Sequence, residues 1–423
     1  MTLFDDKTVL EDLWRAYYDA RKHKRNTANA ILFELRLEHN IHQLYLEIVE
    51  NRYVISPSIC FIVYKPVKRE IFAANFRDRV VHHYVMNKLM CVFENQFIDD
   101  TYSCRVGKGT LFGVRRLQSF IRRCSENYQK DAYILKLDIQ GYFMNIFKPL
   151  LYQKMEKLIR KKYRGNDLER LLGLVKCIVL NDPTENCIVK GRKKDWDGLP
   201  TNKSLFTTPK DCGLPIGNLT SQIFANYYLS DFDRFMKEKL KLKYYGRYVD
   251  DFFIVHQDRK YLKSLVPIIN DYLYDTLGAR VHPKKVYLQS CVKGVNYLGA
   301  YVLPYRAYLS KRTKGNFYEA VSKLENYGTA CLNSPFKEEN KLIEAGLNAY
   351  FGPCMHTCSY KFCNQMLDVF SDCWFQQYEI ASSCHKVHWR GKTDVEGFLF
   401  EFGSIPFQQE DILSVIVNVH PSA

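Results

Sequence analysis

Apolar positions recur at helical spacing over residues 8–50, with Trp14, Tyr17 and Tyr18 on one stripe, so this stretch reads as two helices. A basic connector, Arg21 to Arg25 (RKHKR), separates them. Short apolar runs between 53 and 80, ICFIVY among them, read as strands. Helical period returns at 78–96 and, past the loop TYSCRVGKGT, at 110–126. AYILKLDI (132–139) is almost continuously apolar and ends in a carboxylate, the pattern of a central buried strand. Helices are expected at 149–162, 167–180, 218–240 and 260–277, with a loop rich in Pro, Asn, Lys and Asp at 181–213. YYGRYVDDFFIVH (244–256) reads as strand, turn, strand, with two carboxylates on the turn. KVYLQ and YLGAYVL read as short strands, and 314–380 as a helical part.

The chain has 423 residues, enough for two or three domains' worth of core. Its 47% apolar and 25% charged residues are ordinary for a globular protein. Lys plus Arg number 61 against 46 Asp plus Glu, a net charge of +15 that favours a polyanionic partner. No apolar run approaches the ~20 residues of a membrane helix, and the start, MTLFDDKTVLEDLW, is acidic and amphipathic rather than signal-like. A cytoplasmic protein is expected, with its 14 cysteines reduced and mostly buried, since no Cys-x-x-Cys pair occurs. Residues 391–423 carry a net charge of −4, from Lys392 against Asp394, Glu396, Glu401, Glu410 and Asp411. That acidic, apolar tail suits a packed appendage or a subunit contact better than a nucleic-acid surface.

Candidate chemistry centres on Asp138 at a strand end and on Asp250-Asp251 at a strand turn. Adjacent carboxylates flanked by apolar strands repel unless a cation lies between them. Hard oxygen ligands suit Mg²⁺, and three carboxylates on neighbouring strands can hold two such ions. Two ions can activate a 3′-hydroxyl and stabilise a leaving pyrophosphate.

YVDD (248–251) resembles the catalytic motif of reverse transcriptases. Further stretches are similar to that family and in its order: KREIFAANFRDRVVHHYV (68–85), FIDDTYSCRVGKGT (97–110), LKLDIQGYF (135–143), GLPIGNLTSQIFANYYLSDFD (213–233), and HPKKVYLQ with VNYLGAYV (282–302). Together they cover roughly residues 8–380. The resemblance implies an α/β (α+β) right-hand polymerase with fingers, palm and helical thumb. On it, 1–50 is an N-terminal helical extension, 51–137 fingers with palm segments, 138–310 palm with insertions, 311–385 thumb and 386–423 a tail. It implies that Asp138 and Asp250 bridge two Mg²⁺ ions, that Asp251 completes the site and that the Ile139 carbonyl is a further ligand. Phe143 matches the steric gate that excludes a ribose 2′-OH, whereas Tyr142 reads as core. Lys68 and Arg69 are candidates for the incoming triphosphate. Arg77 and Arg79 are read either as partners of Asp78 or as template contacts. Lys285, or Lys284, matches the lysine that protonates pyrophosphate. Arg105, Lys108, Lys311, Arg312 and Lys314 are expected on nucleic-acid phosphates, and the basic stretches 21–25 and 158–164 on RNA outside the cleft.

Pro215, Ile216, Gly217, Ser221 and Gln222 refine the resemblance. Where many reverse transcriptases carry Gln-Gly and Ser-Pro, this chain has Ile-Gly and Ser-Gln. That pattern is similar to diversity-generating retroelement enzymes and to bacterial defence-associated reverse transcriptases, and overall the chain looks most like the second class of the latter. Ile216, Gly217 and Gln222 are expected against the dNTP, with lowered fidelity from the apolar Ile216. The implied partners are a cognate noncoding RNA as template and scaffold, dNTPs and an RNA–DNA hybrid, with no membrane. An oligomer or an accessory protein also stays open. Two alternatives remain: a retroelement polymerase making mutagenic cDNA, and a non-catalytic RNA-binding scaffold. Cys354, His356, Cys358, Cys363, Cys373, Cys384, His385 and His388 fit no structural zinc spacing well and read as packed thumb residues.

Overall fold

The computed structural model describes residues 3–22, 24, 27–64, 67–330, 337–370, 378–380 and 387–389. Its elements run α1 (Leu3–Arg21), α2 (Ala28–Glu34), α3 (Leu37–Val49), β1 (Ser58–Val63), β2 (Arg69–Ala73), α4 (Phe76–Glu94), α5 (Thr110–Cys124), β3 (Tyr133–Asp138), α6 (Lys148–Lys162), α7 (Leu168–Leu180) and β4 (Cys187–Val189). Then come α8 (Leu219–Tyr228), α9 (Ser230–Arg234), β5 (Tyr245–Tyr248), β6 (Asp251–His256), α10 (Arg259–Leu277), β7 (Tyr287–Ser290), β8 (Val295–Tyr297), β9 (Ala300–Leu303) and β10 (Arg306–Leu309). The described chain closes with α11 (Lys311–Ala330), α12 (Lys337–Met355), α13 (Tyr360–Leu367), β11 (Tyr378–Ile380) and β12 (Val387–Trp389).

Several expectations change. The N-terminal stretch holds three helices, because α2 stops where the Asn40 side chain takes the Phe33 carbonyl at 2.8 Å. The expected loop 181–213 contains β4 and three short 3-10 turns. The expected helix 218–240 breaks into α8, α9 and a single π turn at Phe235–Lys239. β10, β11 and β12 were not anticipated, β11 lying in a part read as helical and β12 at the start of the expected tail. Residues 390–423 of the expected tail lie outside the described residues, as do Cys373, Cys384, His385, His23 and Arg25.

The chain divides into two compact units. The first comprises Met1–Gly107, Leu135–Ile254 and Lys260–Leu288. Helix α4 runs through its core and is buried on most faces, from Phe76 and Val80 to Leu89 and Phe93. One sheet has the order β2-β1-β4, with β1 antiparallel to β2 and parallel to β4. The other has the order β5-β6-β3-β7, with β5 and β6 forming an antiparallel hairpin. Its inner strands β3 and β6 are the apolar runs legible in the sequence, and Phe252, Phe253, Ile254, Leu135 and Leu137 are all buried. Helix α10 buries Leu262, Leu265, Ile269 and Leu273 on one stripe.

The second unit comprises Lys108–Ile134, Val255–Arg259 and Gln289–Ala423. It carries the sheet β10-β9-β8 and the pair β11-β12. Phe317, Val321, Leu347, Phe351, Cys354, Cys363 and Met366 form its core. Among the described residues no helix is long and apolar enough to cross a membrane.

Candidate active site

Strand β3 ends at Asp138, and the β5–β6 hairpin turns at Val249-Asp250 and begins β6 with Asp251. The two strands are neighbours in the sheet, so three carboxylates meet at one end of it. The Ile139 amide donates to the Asp250 carbonyl at 3.2 Å, and the His282 amide to the Asp138 carbonyl at 2.8 Å. Backbone pairing on both sides thus fixes the position of Asp138.

Each outer carboxylate has an ammonium partner. Lys285 Nζ lies 2.7 Å from Asp138 Oδ2, and Lys136 Nζ 2.9 Å from Asp251 Oδ2. Asp251 Oδ1 is buried and has no hydrogen-bond partner. Burial first, then the Asp138 charge, pushes the Asp250 carboxyl up to about 7. Burial pushes Asp251 up to about 6, against the opposing pull of Lys136. An orphaned oxygen and three crowded acids are the donor set a hard divalent cation requires. Asp138, Asp250 and Asp251 are therefore the residues that could hold Mg²⁺. Lys285 and Lys136 occupy two of these carboxylates, and among the described residues no group of three or more His, Cys, Asp and Glu, these aspartates included, is closed up around a metal position. Cys354 and Cys363 are core residues, and His388 faces Glu344 at 3.4 Å.

The turn itself is strained. Val249 has φ +54, at the hairpin position that glycine ordinarily fills. Arg247, 0% exposed, holds it: Nη1 donates to the Val249 carbonyl at 2.9 Å and to Asn226 Oδ1 at 2.9 Å. Arg247 Nε donates to Asp233 Oδ1 at 2.7 Å, Nη2 pairs with Asp233 Oδ2, and Tyr245 Oη donates to Asp233 at 2.7 Å. This buried fork ties the carboxylate-bearing turn to α8 and α9.

Phe143 follows Gly141 (φ +56) on the 3-10 turn Tyr142–Asn145. It packs with Ile216 and Trp196 on a cluster formed by Cys60, Phe72, Met144 and Leu205. Tyr142 is core as expected, 3% exposed with its hydroxyl on the Ala225 carbonyl. The Phe72 amide donates to the Ile216 carbonyl at 3.0 Å. Gly217 has φ +120, and a Cβ there would meet Ile71 Cγ2 at 2.9 Å. Asn218 clamps the turn by accepting from the Ala74 amide at 2.9 Å. Gln222 Oε1 accepts from Cys104 Sγ at 2.9 Å.

The cationic candidates fare differently. Arg69 is exposed, while Lys68 Nζ donates to the Asp197 carbonyl at 2.7 Å. Arg105 does not suit the phosphate contact expected of it. Its side chain is 7% exposed, pairs with Glu94 and donates to the Ile98 and Thr101 carbonyls, so it braces a turn. Arg77 pairs with Glu47 rather than Asp78, and Arg79 donates to the Ala74 carbonyl at 3.1 Å. In the second unit Lys108 lies over the Phe112 ring, and Lys311, Arg312 and Lys314 open α11. Cations at a helix N-terminus oppose its dipole, a cost that phosphate binding would offset. Lys136, Arg247 and Asp233 escaped the sequence reading. Lys136 was detectable, since period two puts it on the face of β3 that carries Asp138.

No curated protein matches the chain. Solved structures that resemble it include apo telomerase from Candida tropicalis, at 12% identity and TM-score 0.49 over 78% of this chain and 64% of that one. A form of it truncated from the C-terminal domain matches at 14% and 0.42, over 61% and 56%. Telomerase from Candida albicans in complex with a fragment of telomeric RNA matches at 13% and 0.44, over 78% and 57%. The chain thus spans under two thirds of the length of each. The family description "Reverse transcriptase (RNA-dependent DNA polymerase)" matches residues 65–302, more than half of the chain and the whole carboxylate site. With this match over the strands and turn that gather Asp138, Asp250 and Asp251, the chain belongs to the reverse transcriptase family.

Proposed function

We propose that the chain is an RNA-directed DNA polymerase that copies a cognate structured noncoding RNA into cDNA and serves bacterial antiphage defence. The observation that carries the polymerase reading is the meeting of Asp138, Asp250 and Asp251 at the ends of adjacent strands. Two Mg²⁺ ions bound there would supply Lewis-acid activation of a primer 3′-hydroxyl and neutralise the leaving pyrophosphate. Asp138 and Asp250 present oxygens from both strands, and Asp251 Oδ1 adds an unspent one. Lys285 holds a proton at Nζ for the departing pyrophosphate. Phe143 closes the sugar side of the pocket against a 2′-OH. Ile216 and Gly217 line the base pair, and Arg69 meets the triphosphate. On this reading the β2-β1-β4 sheet belongs to the fingers, the four-stranded sheet to the palm, and α11–α13 to a thumb gripping the hybrid through Lys311, Arg312 and Lys314.

The test is sequencing of co-purified RNA and of cellular cDNA, with and without phage, against the D250A/D251A variant. One abundant RNA with matching cDNA that vanishes in the variant is the expected result. Phage dependence supports the defence role, whereas errors concentrated at template adenines support a diversity-generating retroelement. Bound RNA without catalysis-dependent cDNA would overturn the polymerase in favour of a scaffold.

A further inference from the structure

We propose that the turn after β4 is a preformed RNA-binding ridge, on which Lys190, Arg192, Lys193 and Lys194 grip backbone phosphates of the template RNA. The proposal rests on the RNA-templated reading and adds a surface for the same partner.

All four side chains are exposed, and they fall within five residues. A run of solvated lysines on a floppy loop would pay heavily in order to bind. This one is fixed. The Lys190 amide donates to the Cys60 carbonyl at 2.8 Å and so continues the β4–β1 pairing. The Arg192 amide donates to Asp195 Oδ2 at 2.6 Å, and Tyr64 Oη donates to Asp195 Oδ1 at 2.8 Å. The Asp195 carboxylate, whose charge also faces Arg192 and Lys194, is therefore engaged in holding the backbone. Beyond the ridge, Trp196 Nε1 donates to Glu70 Oε2 at 2.7 Å, and Ser204 and Leu205 bind the same carboxylate at 2.7 Å each. Glu70 is 1% exposed, so its charge is buried and met by three donors. Lys68 Nζ on the Asp197 carbonyl adds a further tie to β2.

The ridge is thus anchored on the hairpin whose other contacts run to Ile216 and Phe143. Tyr64, 56% exposed with Lys68 Nζ 5.2 Å from its ring centroid, adds an aromatic face beside the cations. Fixed cations beside an aromatic face suit a single strand, whose phosphates pair and whose bases stack.

The experiment measures binding of an unstructured single-stranded RNA to the full chain across a salt series. K190Q/R192Q/K193Q/K194Q is compared with K176Q/K239Q/K241Q/K243Q, which removes equal charge from exposed positions elsewhere in the same unit. Wild type should lose affinity steeply with salt. The ridge variant should lose about 2.8 from the slope of log affinity on log salt, roughly 0.7 for each of four contacts. The control should lose far less, and both should melt with wild type. A ridge variant with the wild-type slope, or a control that falls as far, overturns the proposal. Should the fourfold variant melt early, the four single Gln variants are read instead, each expected to lose roughly 0.7. Binding needs no catalysis. RNA held with the expected slopes but never copied sinks the polymerase reading alone, while equal slopes in an active enzyme sink the ridge alone.

Discussion

Val249 adopts a left-handed conformation that a β-branched residue keeps only when its surroundings compel it. Arg247 supplies that compulsion, and its removal would strand Asp233 as a buried, unpaired charge. Arg247→Ala should cost about 3–5 kcal/mol in denaturant melts. Arg247→Lys should recover part of the stability yet lose activity, since an ammonium cannot span Asp233, Asn226 and the Val249 carbonyl together. A lysine variant with full activity would show that the turn needs charge alone. Phe143→Val should raise the use of rNTPs relative to dNTPs by roughly 10- to 100-fold in single-nucleotide incorporation. At this scale the gathering of the acids was legible in the sequence and the partners of the cations were not. Asp138, Asp250 and Asp251 announce themselves because a carboxylate beside apolar strands has few other uses. An arginine carries no comparable mark. Arg105 and Arg247 look alike in the chain as Arg69 does, and only the folded partners separate a brace from a free hand.

Among the elements, the turn 214–218 shows how a short motif acquires its role by docking. Gly217 leaves no room for a Cβ against Ile71, so Gly217→Ala should displace the turn at a cost of about 1–3 kcal/mol. The same change should lower kcat/KM for dNTPs while leaving RNA affinity unchanged. Helix α4 carries a second test. His82 is buried and pushed down to about 3, while Asp78, one turn earlier, is pushed up to about 6, both chiefly by burial. The folded state keeps His82 neutral, so its contribution is present above the unfolded value of 6.5 and is lost as pH falls towards about 3. Asp78 runs oppositely. Its contribution is full below 3.8 and is lost as pH rises through about 6. The two largely cancel between pH 4 and 6. His82→Gln should therefore gain on wild type as pH falls below 6.5, and Asp78→Asn should lose on it as pH falls from 6 to 4, each by up to about 1.4 kcal/mol per unit. Equal pH profiles for all three proteins in urea melts would refute the pairing. Helix α4 itself was legible from its period, found at 76–94 against an expected 78–96. The breaks after Glu34, Tyr228 and Arg234 were not, because they go with the Asn40 side chain on the Phe33 carbonyl, the Lys154 ammonium on the Tyr228 carbonyl and a π turn rather than with a glycine or proline.

Across the molecule, the crowded carboxylate site is a local instability. With Asp250 pushed up to about 7, its ionised form weakens the metal-free fold as pH rises through that value. Asp250→Asn should thus stabilise the chain at pH 8 in chelator by on the order of 4 kcal/mol. Mg²⁺ should raise the melting temperature of wild type and leave that of Asp250→Asn unchanged. A variant less stable than wild type in chelator would show that the acids are already reconciled without metal. The β2-β1-β4 sheet has a consequence for the chain as it is made. Strand β1 is bounded on one side by β4, whose first residue emerges 124 positions after the last of β1. At about 5–20 residues per second the ribosome takes roughly 6–25 s to cover that distance. Through that interval an apolar strand waits with one edge open, a template for any neighbouring nascent chain. The Glu70 carboxylate waits too, because the groups that donate to it belong to Trp196, Ser204 and Leu205, so its set of bonds is incomplete until residue 205 has been made. The slow stage of this protein's life is thus set at synthesis, and slowly elongating ribosomes should lose more of it to aggregation than rapidly elongating ones.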